Sequence, residues 1–239
     1  MKEVTIRGVP FLQFETVLPP SFLHVFTLKG VFFRPHESEE EKRLQQVLAI
    51  DHCSFPSQVH GRRWLVVDKP LHERPLADAL LTSQKGVYLG ILVADCLPVL
   101  FVDVQNEALA VAHAGWRGVA LGIHLEVLRA MENVFGSRPQ ELFVGIGPAI
   151  GPCCFEVKEE VSELFARRDG RRVQEKEGRF FVDLAGVVED ELVERGIERK
   201  NLEVSGLCTM CHEELFHSFR REKEATGRHA LLAGWRKRD

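Results

Sequence analysis

Between Val87 and Ala112 three apolar runs follow one another almost without a break, and any fold this chain adopts must bury all of them. The first, Val87-Tyr-Leu-Gly-Ile-Leu-Val93, shows no alternation of apolar with polar residues. A strand with one face in water alternates; a strand without alternation is covered on both faces. Leu97-Pro-Val-Leu-Phe-Val102 predicts the next strand, with Pro98 near its start, where a missing N–H is tolerated. Ala108-Leu-Ala-Val-Ala112 predicts a third, after a turn at Asn106. Asp95 and Pro98 interrupt the stretch, which is too short and too polar for a membrane span.

Downstream the period changes. Gly118 to Phe135 has helical spacing, with Leu121, Leu125, Leu128 and Met131 on one stripe and Gly136 as a stop. Leu142 to Ile146 predicts a strand opening into Gly147-Pro-Ala-Ile-Gly-Pro152, which is too rich in Gly and Pro for regular structure. Val157 to Arg168 and Leu184 to Arg195 are expected to be helices, each with acidic residues early and basic residues late, matching the helix dipole. The charged stretch Asp169 to Gly178 between them predicts an exposed turn or hairpin, and Leu202 to Gly206 is strand-like. Strands and helices mix along the chain without regular βαβ alternation, internal repeat or linker. The expected architecture is one mixed α/β (α+β) domain over residues 1–239, a mixed sheet flanked by helices.

Composition excludes several classes. With 239 residues, 45% of them hydrophobic, the chain can bury a substantial core without disulfides or a structural metal. The six cysteines are therefore expected as reduced thiols. A net charge of -4 argues against a nucleic-acid platform. Acidic residues interleave with the C-terminal arginines; Arg236 and Arg238 are expected on a solvated surface, whereas Arg220, Arg221 and Arg228 fit either such a surface or an anion site. Met1-Lys2-Glu3-Val4 does not begin a signal peptide, so the cytoplasm is the expected compartment.

Three segments place a metal-binding side chain at the end of an apolar element: His60 in Gln58-Val-His-Gly61, Cys96 in Ala94-Asp-Cys-Leu-Pro98, and His113 in His113-Ala-Gly-Trp-Arg-Gly118. Two imidazoles and a thiolate suit zinc, and three protein ligands leave a fourth position for water or substrate. Nearby glycines allow sharp turns toward a shared cavity. Taken singly, each residue has a plain alternative: His60 a turn residue, Cys96 a buried thiol, His113 a hydrogen-bonded core histidine.

The ordered blocks carry more than their spacing. Gln58-Val-His-Gly61, Ala94-Asp-Cys-Leu-Pro-Val-Leu100, His113-Ala-Gly-Trp-Arg-Gly118, Gly147-Pro-Ala-Ile-Gly-Pro-Cys-Cys-Phe-Glu-Val157, Asp183-Leu184, Cys208-Thr209, and Ser218-Phe-Arg-Arg221 with Thr226-Gly-Arg228 closely resemble the laccase-domain family, also called the multicopper polyphenol oxidase-like or purine nucleoside phosphorylase family. The resemblance runs from about Phe26 to the C-terminus. It implies zinc on His60, Cys96 and His113, phosphorolysis of adenosine, inosine, guanosine and methylthioadenosine, and deamination of adenosine. The expected partners are purine nucleosides and phosphate; no nucleic acid or membrane is expected, and a monomer is expected with an oligomer left open. Editing of cell-wall peptide precursors by a zinc hydrolase, copper-dependent phenol oxidation and metal buffering are the alternatives.

The residues bear on these choices. Copper binds a His-Cys-His site readily, yet multicopper oxidation uses His-x-His pairs, and none of the ten histidines lies two residues from another. Zinc lowers the pKa of water to roughly 7, which suits attack on C6 of adenosine. Phosphorolysis needs an anion site, for which Arg117 is the candidate. Asp95 is expected to orient the neighbouring ligand. Lys29 stands where the family has Arg, offering an anionic substrate group a charge without a bidentate fork, and Phe219 stands where it has Tyr. In Cys208-Thr-Met-Cys211 no second Cys-x-x-Cys completes a metal site, so Cys211 is expected to be incidental.

Overall fold

The computed structural model describes residues 1–30 and 38–237. Val31, which ends the segment Phe26-Thr-Leu-Lys-Gly-Val31 that carries Lys29, and Arg238 lie outside them. Elements are numbered along the chain. One six-stranded sheet has the order β1 (Lys2–Ile6), β2 (Val9–Gln13), β3 (Phe22–Thr27), β15 (His229–Trp235), β7 (Tyr88–Val93), β4 (Cys53–Ser54). A second has the order β14 (Leu202–Val204), β10 (Phe143–Ile146), β8 (Leu97–Asp103), β9 (Ala108–Ala114), β6 (Ala79–Thr82), β5 (Trp64–Val66). Each is mostly antiparallel with parallel pairing at an edge: β4 with β7 in the first, and β5 with β6 and β10 with β14 in the second. The mixed α/β class expected from sequence is what is found, with the mixed sheet realised as two.

The pleat shows how the layers stack. In β8, Leu100 and Val102 join Leu89, Ile91, Leu231 and Trp235 of the first sheet in one core, while Leu97, Val99 and Phe101 point the other way. That other face packs on α3 (Ile123–Phe135), α4 (Glu159–Asp169) and α5 (Leu184–Glu194), through Val127, Met131, Phe165, Val187 and Leu192. The outer face of the first sheet, Leu23, Val25, Ala230 and Leu232, packs on Leu44 and Leu48 of α1 (Ser38–Leu48). The order of layers is helix, sheet, sheet, helices. Every residue of β8 and β9 is buried, which is why neither segment alternates in sequence.

Two helix expectations need correction. The helix expected over Gly118 to Phe135 is broken into α2 (Trp116–Ala120) and α3, because Gly122 is left-handed, with φ 78°. Of the expected stripe, Leu128 and Met131 are buried, together with Ile123 and Val127, whereas Leu121, which ends α2 just before the break, is 51% exposed. Gly136, with φ 68°, ends α3: its N–H donates to the Glu132 carbonyl and the Ser137 N–H to that of Met131. In α5 neither terminal turn carries the expected charges; Asp183 caps its start by accepting from the Gly186 N–H, and its acids pair sideways. Glu191 meets His124 at 2.6 Å and Arg168 at 2.7 Å, and Asp190 meets Arg172 at 2.7 Å. The charged stretch after α4 is a hairpin, as expected: β12 (Val173–Lys176) and β13 (Arg179–Val182) turn through Glu177 and Gly178, with β11 (Glu156–Val157) completing a small sheet.

Candidate metal centre

The chain crosses from one large sheet to the other in the three residues between β7 and β8, and Cys96 lies in that crossing. In the adjacent strand β9, His113 pairs with Pro98, which brings its ring beside Cys96. His60 arrives from the connection between β4 and β5. Gln58 fixes that connection against the first sheet, its side-chain amide donating to the Leu92 carbonyl at 2.7 Å and accepting from the Leu92 N–H at 2.8 Å. The ligand atoms of His60, Cys96 and His113 all lie within 4.8 Å of one another. The two imidazoles meet edge to face, with ring centroids 4.8 Å apart.

Asp78, which sequence reading missed, organises two of the three. It is fully buried just before β6, and its carboxylate accepts the N–H groups of Val59 (3.2 Å), His60 (2.9 Å) and Gly61 (2.7 Å). Three successive N–H groups converging on one anion hold the turn, including His60 at φ 58°. The same carboxylate meets Nδ1 of His113 at 2.9 Å, fixing that nitrogen as the N–H and leaving Nε2 free as a donor to a metal. A lone acid entering the apolar Ala77-Asp-Ala-Leu-Leu81 was the available signal.

The electrostatics suit a cation. Burial alone would raise the Cys96 thiol, but hydrogen bonds from His113 and His60 overcome it and bring the group down to about 6. Burial would lower His113; Asp78 and Cys96 outweigh that and raise it to about 9. Desolvation would raise Asp78, yet His113 and the Gly61 and His60 amides hold it below its ordinary value. A positive charge is thus favoured between a thiolate and a carboxylate. Space is reserved as well: a Cβ built on Gly115 would come within 3.0 Å of Cys96 Sγ and 3.1 Å of His60 Cδ2. Gly115→Ala is therefore expected to push these donors apart and weaken binding of an added metal such as zinc about tenfold, with secondary structure unchanged. Competition against a zinc chelator, read beside circular dichroism, measures this, and unchanged affinity would refute the reserved space.

The three donors open onto a cavity of about 620 Å³, within the range of small-molecule sites. Ile150, Phe155 and Phe219 supply apolar wall, and Arg117, Arg220 and Arg228 supply cations. Arg117 is exposed and its guanidinium stacks on the Trp116 ring at 4.5 Å, with no side-chain hydrogen bond or ion pair to another described residue. Arg220 instead reaches the carbonyls of Cys154 and Glu156, and Arg221 those of Thr209, Met210 and Phe216. Lys29 does not line the cavity: its ammonium donates to the Glu213 carbonyl at 3.0 Å and lies 3.9 Å from Glu222. The role expected for Asp95 is corrected. Its carboxylate accepts from the Thr209 hydroxyl (2.6 Å), the Ser218 hydroxyl (3.1 Å) and the Arg220 N–H (2.7 Å), so it ties down the segment of α6 (Phe219–Glu222) that walls the cavity.

Fold and site together define a layered α/β protein with a three-donor centre at the base of a small-molecule cavity. The sequence profile of the family described as "Multi-copper polyphenol oxidoreductase laccase" matches residues 36–236. A protein of Xylella fastidiosa named purine nucleoside phosphorylase is 33% identical over 96% of this chain and 90% of its own length. Another of that name, from Deinococcus radiodurans, is also 33% identical, over 99% and 97%. The crystal structure of YlmD from Geobacillus stearothermophilus superposes with a TM-score of 0.85 at 27% identity, covering 95% of this chain and 99% of that one. This chain belongs to the multi-copper polyphenol oxidoreductase laccase family, whose members include proteins named purine nucleoside phosphorylase. Among the described residues, no helix is long and apolar enough to cross a membrane.

Proposed function

We propose that this chain is a zinc-dependent purine nucleoside phosphorylase that cleaves adenosine, inosine, guanosine and methylthioadenosine, and that it also deaminates adenosine. The observation carrying this reading is the opening of the His60, Cys96 and His113 donor set onto a cavity with apolar walls and arginines; relatives spanning nearly the whole chain and named for that activity support it. Zinc held by these residues supplies a Lewis acid that makes water nucleophilic near neutral pH; copper is the other metal this donor set accommodates. Phe155, Phe219 and Ile150 give a purine ring apolar surface and keep bulk water from the sugar. In phosphorolysis a phosphate oxygen bonds to C1′ while the bond from C1′ to N9 breaks, its electron pair and then a proton going to the purine. Arg117 is suited to hold that phosphate, since among the described residues its guanidinium is engaged only by the face of the Trp116 ring and a planar fork matches phosphate oxygens. Phenol oxidation fits less well, because among the described residues only one group of clustered metal-binding side chains contains histidine.

Adenosine incubated with the zinc-loaded protein tests the reading. Adenine and ribose 1-phosphate are expected only with phosphate present, and inosine with or without it. Arg117→Ala should lower kcat/KM for phosphorolysis about 10- to 100-fold, the rate equivalent of losing a charge-assisted contact of roughly 1.5–3 kcal/mol, while deamination changes little. Equal loss of both activities would make Arg117 structural. Adenine released without phosphate would move the chain to the hydrolases and sink the proposal.

A further inference from the structure

Behind the cavity wall lies a second cluster of donors, built wholly from sulfur. The Gly-Pro loop after β10 turns at residues 151–154, the Cys154 and Phe155 N–H groups both donating to the Gly151 carbonyl, and presents the adjacent Cys153 and Cys154. The loop after β14 runs alongside: Ala149 bridges to Cys208, and the Thr209 N–H donates to the Ala149 carbonyl at 3.0 Å. The next turn, closed by the His212 N–H on the Cys208 carbonyl, brings Cys211 back over the first loop. Cys208-Thr-Met-Cys211 supplies one half of this cluster, and the other half is not a second Cys-x-x-Cys but the adjacent pair Cys153 and Cys154.

The four Sγ atoms lie within 4.8 Å of one another, with Cys211 at 3.6 Å from Cys153 and 3.4 Å from Cys154. Four sulfurs at the Zn–S distance of about 2.3 Å around a tetrahedral ion lie about 3.8 Å apart, in the middle of this spread. All four are free cysteines, with Cys208 buried and Cys153 and Cys211 facing solvent, so an ion can enter from one side. The Gly151 N–H donates to Cys208 Sγ at 3.2 Å, a contact that favours thiolate. An all-sulfur tetrahedral set selects zinc over magnesium, calcium or manganese.

We propose that Cys153, Cys154, Cys208 and Cys211 bind a second, structural zinc ion, separate from the three-donor centre and closed to substrate because all four positions are protein sulfur. Binding releases thiol protons to solvent and leaves zinc's oxidation state unchanged. The ion fastens two loops that shape the cavity, one carrying Ile150 and Phe155, the other carrying Thr209, whose hydroxyl holds Asp95. This inference stands independently of the reaction catalysed.

The test is metal analysis of protein purified under reducing conditions with zinc supplied. Wild type is expected to carry two zinc ions per chain, Cys96→Ser one, and Cys211→Ser one. The ion retained by Cys96→Ser should show four sulfur neighbours at about 2.3 Å by X-ray absorption, a readout that does not require any variant of the second cluster to fold. Cobalt-substituted Cys96→Ser should show the intense sulfur-to-metal charge-transfer bands of a tetrathiolate. A single zinc in wild type that disappears entirely in Cys96→Ser would overturn the proposal. So would a disulfide joining Cys211 to Cys153 or Cys154, recovered by peptide mapping of the native protein.

Discussion

Cys96→Ser is expected to lose one equivalent of zinc and to lower turnover of adenosine, with or without phosphate, by at least about a thousandfold, the rate equivalent of the several kcal/mol a Lewis acid contributes. A serine hydroxyl does not ionise near neutral pH, so the site would lose its anionic donor while keeping its shape. Cys96 sits in the three-residue crossing between the sheets and packs only against the margin of a core built from other residues, and serine nearly matches cysteine in size. Circular dichroism should therefore match wild type. A Cys96→Ser protein with undiminished zinc and activity would remove the three-donor centre from the chemistry altogether.

Asp78→Asn should be nearly as damaging, for a different reason. The carboxylate accepts three backbone N–H groups and the His113 Nδ1–H. An amide of the same shape turns one acceptor into a donor facing donors, at a cost of roughly 1–3 kcal/mol in folding stability. It also frees the His113 ring to rotate or change tautomer, and loss of such an orienting partner costs 10- to 100-fold in metal affinity. Zinc titration of the refolded variant measures the second effect and urea denaturation the first. A variant with normal stability and tenfold weaker zinc binding would confine Asp78 to ligand orientation; normal values of both would show that the four hydrogen bonds are dispensable.

The parts of this architecture legible in sequence were those whose signal is local. Val87 to Val93 and Leu97 to Val102 announced strands covered on both faces because every residue of β8, and every residue of β7 but the half-buried Leu92, is buried. Gly136 announced a helix end because a left-handed residue there favours glycine. Gly122 has the same conformation, but in sequence it sits inside a run of suitable period, and only the exposure of Leu121 betrays the change of phase. At the site, His60, Cys96 and His113 stood out through their own chemistry and ordered blocks. Asp78 did not, since what matters about it is which N–H groups the fold brings within reach. Cys211 looks incidental in sequence for the same reason: its neighbours Cys153 and Cys154 lie 58 and 57 residues earlier in the chain. Lys29 resembled an anion ligand by its place in a motif, and packing gave its ammonium to Glu213 and Glu222 instead.

The position of β15 constrains how the molecule can be made. This strand pairs with β3 on one side, Leu232 opposite Val25, and with β7 on the other, Leu232 opposite Gly90. Its two partners leave a translating ribosome long before it does, and must wait with facing edges unpaired. Closure of the first sheet is thus a late, long-range event, the kind that slows folding because the loop is closed before the contacts repay it. During that interval β3 and β7 offer open backbone to any neighbouring nascent chain. Synthesis halted before His229 would strand the molecule in that condition, so incomplete copies should be the ones that aggregate or meet proteases first.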